Sequence, residues 1–383
     1  MSDRTSTRGN QGDTYIHNYI FGDKISSKHT DTIRIGFQNF NGLTGRINDP
    51  VDDSLRSWIT SQEFNVFGIS EINLYWPKVN PSLQFHERLS RWWAPGQTRG
   101  TFAYNSTEKR KKRSIRQYGG TAQICRHEAV IREQKRGADP RGLGRWVWQE
   151  FRGKKGKSLV VITAYRPNAS TGPFTVHSQQ VEYYNEIKMS CNPRQQMLDD
   201  LQLAIVQWKE EGHQIVLQMD CNEDVRSTAF QRFLQTTGLR DSILHRHGTN
   251  APATYIDGSN PIDGIFVTPA IEIGIGGYCS FDEGVCGPRT DHRCLWIDIP
   301  LNNIFGLQPA NLTKFPGRRI KSSDPRIVNE FNKHYSIYAN YHQLGRQIFE
   351  LEQTATYPSN PEVHHLYERV ARIRMQAINY ADK

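Results

Sequence analysis

Polar side chains that could hold a metal ion or move a proton follow several apolar runs of this sequence. The clearest case is IVLQMDCNED, residues 215–224, where an apolar run ends at Met219 and leads into Asp220, Asn222 and Glu223. An apolar run of this length with a polar boundary predicts a buried strand. Because Asp and Asn also form turns, this stretch alone does not distinguish a turn from a functional site.

Five other apolar runs of the chain also end or begin beside polar residues. The residues concerned are Asn39, Asn41, Glu71, Tyr165, Arg166, Asn168, Asp263, Asp291 and His292. One strand end of this kind is explained by a turn, but six in one chain predict a shared site at one edge of the sheets. Carboxylate and amide oxygens suit Mg²⁺ or Mn²⁺ better than zinc, and a histidine beside acids can contact a phosphate or transfer a proton. This inventory predicts metal-assisted hydrolysis of a phosphoester.

Residue spacing argues against two other kinds of metal site. The stretch DCNED matches the start of a calcium-binding loop, but Val225 and Gln231 stand where such a loop needs Gly and Glu. The six cysteines form no C-x-x-C pair, which argues against zinc. We interpret the cysteines as small buried core residues in a reducing compartment.

Alternating strand and helix patterns must position these side chains. Strand candidates lie at 32–40, 65–72, 119–125, 145–151, 158–165, 215–219, 262–267 and 294–299. Helix candidates lie at 52–64, at 192–212 with Asn192 as N-cap, and after Ser227. This pattern predicts an α+β fold: a four-layer α/β sandwich in which two mixed β-sheets pack face to face and are flanked by helices, with a C-terminal helical extension.

Changes in composition predict the domain boundaries. We interpret residues 1–30 as a mobile polar leader, 31–300 as the main domain, 301–323 as a linker and 324–383 as the helical extension. In the extension, Asp324 and Pro325 cap a helix predicted to run to about Glu352. A second helix carries a heptad-like apolar seam, which needs a partner surface. The seam residues are Val363, Leu366, Val370 and Ile373.

Six short motifs occur in a fixed order: NFNGL, SE, TAYRPN, MDCNED, IDGIFV and TDH. In this order and spacing they resemble the endonuclease/exonuclease/phosphatase superfamily over about residues 32–300. That superfamily includes apurinic endonucleases, DNase I-like nucleases, inositol polyphosphate phosphatases and the nuclease domains of non-LTR retrotransposons. The resemblance implies the same two-sheet sandwich flanked by helices.

The resemblance also implies a metal site. Glu71 matches the metal-binding Glu, Asn39 and Asn41 fall on positions that assist the metal, and Asp291 matches an acid implicated in metal binding or transition-state support. The implied cofactor is Mg²⁺ or Mn²⁺. Two departures are Asn41, where some nucleases have an acid, and Thr290, where Ser is usual.

The remaining matches imply catalytic roles. Asp220 matches the acid that orients and deprotonates the attacking water, and Asn222 its phosphate-contacting neighbour. His292 matches the family histidine, with Asp263 as the acid that orients it. Tyr165 matches an aromatic residue that contacts phosphate.

The charge of the chain favours a nucleic-acid partner. The formal net charge is +9, which is an argument for binding a polyanion. The basic run at 108–116 is open to three interpretations: a phosphate-contacting loop, a nuclear-localisation patch or a solvated loop. The residues expected to bind DNA are Lys109, Arg110, Lys111, Lys112, Arg113, Arg166, Thr254 and Tyr255.

Within this family the predicted activity is that of a DNA endonuclease of the retroelement, reverse-transcriptase-associated type. The segment PATYIDGSNPIDGIFV and the helical tail both resemble such nucleases. The alternatives are a phosphatase or lipid phosphodiesterase of the same fold, and a non-catalytic nucleic-acid-binding module. The seam of the tail could bind the other tail helix, a reverse transcriptase domain or a second copy of the chain.

The location expected for the protein follows from its apolar segments. The N-terminal residues contain no apolar core of a secretory signal, and no run approaches the roughly 20 apolar residues that span a bilayer. We therefore expect an intracellular protein that is not secreted, has no membrane partner and acts in the nucleus.

Overall fold

The computed structural model describes residues 19–45, 49–94, 96–108, 114–282, 290–306, 323–354 and 361–382. The strands are β1 (Phe21–Gly22), β2 (Thr32–Asn39), β3 (Val66–Ser70), β4 (Thr98–Ala103), β5 (Thr121–Arg126), β6 (Glu133–Ala138), β7 (Trp146–Arg152), β8 (Ser158–Tyr165), β9 (Gln214–Asp220), β10 (Arg240–Asp241), β11 (Asp263–Val267), β12 (Ile275–Tyr278) and β13 (Leu295–Pro300). The helices of the main domain are α1 (Pro50–Ser61), α2 (Phe85–Trp92), α3 (Glu128–Arg132), α4 (Val176–Glu186), α5 (Pro193–Glu210), α6 (Thr228–Thr237), α7 (Ser242–His247) and α8 (Leu301–Ile304). The C-terminal helices are α9 (Pro325–Tyr341), α10 (Leu344–Thr354) and α11 (Pro361–Ala381).

Two mixed sheets form the centre of the main domain, as predicted. Within the described residues, one sheet has the strand order β1-β12-β13-β2-β3-β5-β4 and the other β10-β11-β9-β8-β7-β6. Each sheet contains one parallel pair, β2 with β3 and β8 with β9, and its other pairs are antiparallel. The predicted sandwich of two mixed sheets with flanking helices is confirmed.

The sequence of the central strands explains their position. The strand β8 reads SLVVITAY and is buried along its whole length, and β9 is buried from Ile215 to Asp220. A strand covered on both faces reads as a nearly continuous apolar run rather than as an alternating one. The sheets therefore bury these strands between each other and the outer helices.

A polar layer crosses the interface between the two sheets. The Nε2 of Gln123 donates to Oε1 of Gln149 at 3.0 Å, and the Thr163 hydroxyl lies 2.8 Å from Oε1 of Gln123 and 3.2 Å from Oε1 of Gln218. A Cβ atom at Gly68 would lie only 2.1 Å from Oε1 of Gln218. A side chain at this position of β3 would therefore have to displace Gln218 and Thr163 from the polar layer.

Helix-capping signals account for the predicted helix starts. The Asn192 side chain accepts from the backbone N–H groups of Arg194 and Gln195 at the start of α5. The Ser227 hydroxyl accepts from Phe230 N at the start of α6. Both predicted N-caps are confirmed.

Three boundary predictions need correction. The leader predicted at 1–30 includes β1, which pairs with β12, and Phe21 is buried in the core. The linker predicted at 301–323 begins with α8, and Ile304 and Phe305 are also buried in the main core. The single helix predicted from Asp324 to about Glu352 is two helices, because Gln343 between them has a left-handed backbone with φ 51°. Apolar side chains in β1 and α8 explain the first two errors, since burying them outweighs the polar composition around them.

The chain divides into two compact units, residues 1–313 and 314–383. In the second unit, Val370 and Ile373 of the predicted seam form a buried cluster with Leu344. Three partly buried residues pack against this cluster: Tyr335, Ala339 and Leu351. Two of the predicted seam residues thus pack on the preceding helices of the same unit. No helix among the described residues is long and apolar enough to cross a membrane.

Candidate active site

The two parallel strand pairs end at the same place and form the base of a site. In one sheet Asn39 pairs with Ser70, the residue before Glu71. In the other sheet Tyr165 pairs with Asp220. The Nδ2 of Asn39 donates to Oδ2 of Asp220 at 2.8 Å, which joins the two sheets directly. The polar strand ends recognised in the sequence therefore do meet.

Asp220 is held from both sides in a buried position. Its Oδ2 accepts from Asn39, and its Oδ1 accepts from the backbone N–H of Asn222 at 2.9 Å. The pKa of Asp220 is raised to about 8. Burial is the largest cause and the negative charge of Asp263 the second, while the charge of His292 lowers the pKa. A buried carboxylate in this setting has a strong affinity for a proton, which suits it to accept one from water.

His292 and Asp263 form a buried pair beside Asp220. The Nδ1 of His292 lies 2.8 Å from Oδ2 of Asp263, and Asp263 pairs with Asp220 across β11 and β9. Burial alone would lower the pKa of His292, but the charge and hydrogen bond of Asp263 outweigh burial, and the pKa is raised to about 10. The imidazole is therefore held as a cation whose Nε2–H is left for a substrate oxygen.

Two residues outside the recognised motifs hold this pair in place. The Thr254 hydroxyl accepts from the backbone N–H groups of Ile262 and Asp263 at 2.9 and 3.1 Å. The Gln38 side chain donates to the backbone carbonyl of His292 at 2.9 Å. Gln38 was missed in the sequence, although a polar residue directly before Asn39 in a strand predicted to be buried is a detectable signal.

Asp291 offers one oxygen that could bind a hard metal ion on the Glu71 side of the site. The Oδ1 of Asp291 is buried and has no hydrogen-bond partner among the described residues. Its Oδ2 accepts from Nδ2 of Asn41 at 3.3 Å. A buried carboxylate oxygen without a donor is costly unless it binds a cation. The pKa of Tyr255 is raised, mainly by burial. The charges of Asp291 and Glu71 also raise it, so both acids lie near the Tyr255 hydroxyl.

A second group could also hold a metal ion. Asp220, Asp263 and His292 present ligand atoms within 4.8 Å of one another. However, the Nδ1 of His292 and an oxygen of Asp263 are already bonded to each other, and both oxygens of Asp220 accept hydrogen bonds. Asp263 also keeps a buried Oδ1 without a hydrogen-bond partner among the described residues, so this group and the Glu71 and Asp291 side each offer such an oxygen to Mg²⁺, which prefers oxygen ligands.

Tyr165 connects the metal side and the proton-transfer side. The residue is 3% exposed, and its hydroxyl hydrogen-bonds with Glu71 and Asn222. Burial, followed by the charges of Glu71 and Asp220, raises the pKa of Tyr165 well above its usual value. The hydroxyl therefore keeps its proton and can act as a neutral donor in the site.

The backbone is left-handed at three of the predicted site residues. The φ angles are 45° at Asn41, 52° at Glu71 and 47° at Asn222. Each residue follows the end of a strand that belongs to one of the parallel pairs. Asn adopts this conformation readily, but it is strained for Glu71, and such strain is concentrated at functional sites. The turn directs each side chain back toward the strand ends.

Several predicted contacts are corrected by burial. Asn39, predicted to assist the metal, is 1% exposed, and its Oδ1 accepts from Asn41 N while its Nδ2 bonds Asp220, so it positions other residues instead. Thr254, predicted to bind DNA, is fully buried. Arg166 is 6% exposed, is paired with Glu223 and donates to the carbonyl of Cys221, so it supports the turn after β9 rather than contacting DNA.

Tyr255 remains at the surface of the site, where its ring lies 5.2 Å from that of His292. The residues Lys109, Arg110, Lys111, Lys112 and Arg113 lie outside the described residues. Their predicted contact with DNA therefore stays a prediction.

Comparison with known proteins identifies the fold. No family model matches the sequence, and no curated protein matches it. The structure is similar to that of the AP endonuclease LMAP from Leishmania major, with a TM-score of 0.53 and 12% identity, covering 73% of this chain and 93% of that one. It is also similar to the Xenopus laevis APE2 catalytic domain, with a TM-score of 0.50 and 14% identity, covering 73% of this chain and 95% of that one.

Proposed function

Because this chain has the fold of the endonuclease/exonuclease/phosphatase superfamily, we propose that it is a divalent-metal-dependent phosphodiesterase that cleaves DNA internally. The observation that carries the proposal is the convergence of Glu71, Asp220, Asp263, Asp291 and His292 at one edge of the two sheets. The short bond between His292 and Asp263 and the bond between Asn39 and Asp220 hold the acids and the imidazole together across this edge. A module that only binds nucleic acid would have no use for this arrangement.

The mechanism follows from the charges that the structure fixes. In its deprotonated form, Asp220 accepts a proton from a water molecule as the water oxygen attacks phosphorus. The bond from phosphorus to the leaving oxygen breaks, and the leaving oxygen takes up a proton from solvent. His292, held as a cation by Asp263, donates through Nε2–H to a phosphoryl oxygen on which negative charge develops. Asn222 contributes a side-chain amide, and its Nδ2 donates to the Arg166 carbonyl at 2.8 Å, which fixes its orientation. Mg²⁺ or Mn²⁺ held by Glu71 and Asp291 would supply charge stabilisation at the phosphate.

The substrate proposed is DNA, and the subtype is that of a retroelement nuclease. The net charge of +9 supports a polyanionic substrate. One of the compared structures is called an AP endonuclease, so DNA with an abasic site is a reasonable second substrate to test. Support for the retroelement subtype comes from the resemblance of the 252–267 segment and of the helical tail. We also propose that the protein acts in the nucleus.

The decisive experiment is incubation of the purified chain with supercoiled plasmid and Mg²⁺, with and without excess EDTA. Conversion to the nicked form should depend on the metal and should fall by roughly 10²–10⁴-fold in Asp220→Asn and in His292→Ala. Parallel assays use a duplex with one abasic site, an oligonucleotide with a 3′-phosphate and an inositol polyphosphate. Release of phosphate without nicking would replace the proposal by the phosphatase alternative. Binding of plasmid without any hydrolysis would support the non-catalytic alternative.

A further inference from the structure

Two exposed aromatic rings lie on neighbouring loops beside the site. Tyr118 is 42% exposed and stands just before β5, and Phe174 is 54% exposed and stands in the loop between β8 and α4. Large apolar side chains in solvent are often incidental. These two rings are not independent, however, because one buried side chain connects their loops.

Gln179 of α4 makes that connection. Its Nε2 donates to the backbone carbonyl of Phe174 at 2.9 Å and to that of Tyr118 at 3.2 Å. Its Oε1 accepts from Nδ2 of Asn105 at 3.1 Å. Gln179 is only 6% exposed, so these bonds are protected from water. The two loops are thereby fixed relative to each other.

Both loops leave the strand ends that form the candidate active site. The segment before β5 runs beside the residues that follow Glu71: Asn73 N donates to the Gly119 carbonyl at 2.9 Å, and Asn73 Oδ1 accepts from Gly119 N at 2.7 Å. The other loop begins immediately after Tyr165, whose hydroxyl bonds Glu71. The segment of Tyr118 is therefore anchored beside the residues that follow Glu71, and Gln179 ties the backbone of Phe174 to the same segment.

The backbone and the charge at the rings point to a ligand. Phe174 has φ 68°, a left-handed conformation that is a clear outlier for a bulky residue. Backbone strain of this kind is concentrated at functional and ligand-binding sites. The Arg116 guanidinium lies over one face of the Tyr118 ring, 4.8 Å from its centre, and Tyr118 is still 42% exposed. This surface therefore combines a positive charge with an accessible aromatic ring.

We propose that Tyr118 and Phe174 form a stacking surface for unpaired bases of the nucleic-acid substrate, next to the phosphodiester that is cleaved. The inference rests on the proposed function. Aromatic rings beside a cation bind bases through stacking, and every base offers the necessary flat face. The faces of bases inside an intact duplex are covered by their neighbours. The surface therefore favours single-stranded or locally opened DNA, and Gln179 is its positioning residue.

The test separates stacking from phosphate binding. Binding of a fluorescent single-stranded oligonucleotide is compared with binding of an oligomer of the same length and phosphate number in which every base is replaced by an abasic spacer. Both titrations are made without Mg²⁺, so that cleavage does not interfere. Phe174→Gly and Tyr118→Leu should each weaken binding of the base-bearing strand about 5- to 100-fold. Binding of the abasic strand should not change.

Phe174→Gly provides a second, independent readout. Glycine adopts this φ without strain, so thermal stability should be retained or increased while base binding falls. Tyr341→Leu is the control, since Tyr341 is 82% exposed in the C-terminal unit; it should leave both affinities unchanged. Equal losses on the two oligomers, or no loss on either, would overturn the stacking surface.

Plasmid nicking is measured on the same preparations, so the two proposals can fail separately. Base-dependent binding without any metal-dependent nicking would refute the nuclease activity and leave the stacking surface in place. Metal-dependent nicking, together with equal binding of the base-bearing and abasic oligonucleotides, would refute the stacking surface alone.

Discussion

The Nδ1 of His292 and the Oδ2 of Asp263 lie 2.8 Å apart in a buried part of the site, and the two residues come from opposite sheets of the sandwich. Asp263 begins β11, and His292 stands just before β13. The bond orients the imidazole and stabilises its protonated form.

Asp263→Asn should lower DNA cleavage by roughly 10²–10⁴-fold. The amide has no charge to keep His292 protonated, so the pKa of His292 should also fall toward its ordinary value near 6.5. NMR titration of the histidine checks this shift, and the nicking rate checks the activity. Asp53→Asn is the control, because Asp53 is an exposed acid on α1. Wild-type cleavage and an unshifted His292 in the Asp263→Asn variant would contradict the role of the pair.

Glu71→Gln should weaken binding of Mn²⁺ by at least about 10-fold. The amide keeps one oxygen but loses the charge that attracts a divalent cation. Binding is measured directly by electron paramagnetic resonance of free Mn²⁺, without reference to activity. Glu87→Gln removes an exposed acid from α2 and should leave Mn²⁺ affinity unchanged. Wild-type affinity in Glu71→Gln would move the metal to another group, of which Asp220, Asp263 and His292 are the first candidates.

Replacing the five basic residues at 109–113 by Gln should flatten the salt dependence of DNA binding. Each phosphate contact on B-DNA contributes about 0.9 to the slope of log affinity against log salt. The control changes five exposed basic residues of the C-terminal unit to Gln, which removes the same charge: Lys333, Arg346, Arg369, Arg372 and Arg374. If both variants flatten the slope equally, the basic run acts through net charge alone. An unchanged slope in the 109–113 variant would mean that the run is a solvated loop.

A shortened chain that ends at Gly306 should fold and cleave DNA. A chain that ends at Pro300 should be less stable, because it lacks Ile304 and Phe305 of the main core. Loss of one buried aromatic side chain costs about 3–5 kcal/mol. Chemical denaturation compares the free energies of unfolding. Equal stability of the two versions would place the end of the domain at Pro300, as first predicted from the sequence.

Asp241→Asn should stabilise the protein at high pH and have little effect at low pH. Burial raises the pKa of Asp241 to about 7. The backbone N–H groups of Leu244 and Ile243, at the start of α7, lower the pKa because they stabilise the charged form, but burial has the larger effect. The raised value means that the folded state takes up a proton between about pH 4 and pH 7, so the charged carboxylate lowers stability increasingly as the pH rises through this range. Above pH 7 the Asn variant should be more stable by on the order of 2–4 kcal/mol. Asn caps helices as well as Asp does.

Thermal unfolding from about pH 4.5 to about pH 8.5 measures this difference, with the pH values chosen to span the predicted window. Asp324→Asn serves as the control, because Asp324 caps α9 but is not among the buried residues. A constant stability difference at all pH values would show that Asp241 is not protonated in the folded protein.

The strand-end acids could be predicted because they directly follow apolar runs in the sequence. Apolar runs ending in Asp220 or Glu71 mark strands and their carboxyl ends, and parallel pairing brings such ends together. The strands β1, β4, β6, β10 and β12 were not predicted. They contain few apolar residues and exist because of their partners, as Phe21 pairs with Tyr278.

The roles of individual polar residues were less predictable, since they depend on burial. Thr254 and Arg166 were expected at the DNA surface because of their types, but the folded chain uses them to hold Asp263 and the turn after β9. The left-handed backbone at Asn41, Glu71 and Asn222 was also not predicted from the sequence. At Glu71 no local preference favours it. Contacts between sheets decide these conformations.

The order of the strands along the chain has a consequence for synthesis. Strand β13 lies between β12 and β2. The first long strand of the domain, β2, therefore pairs with the last strand, β13. Asp291 and His292 lie a few residues before β13. A ribosome therefore releases Glu71 and Asp220 well before it releases the imidazole that completes the site, and the pairing of β13 with β2 is a slow, long-range step. A nascent chain has no complete catalytic site until its last strand has joined the sheet.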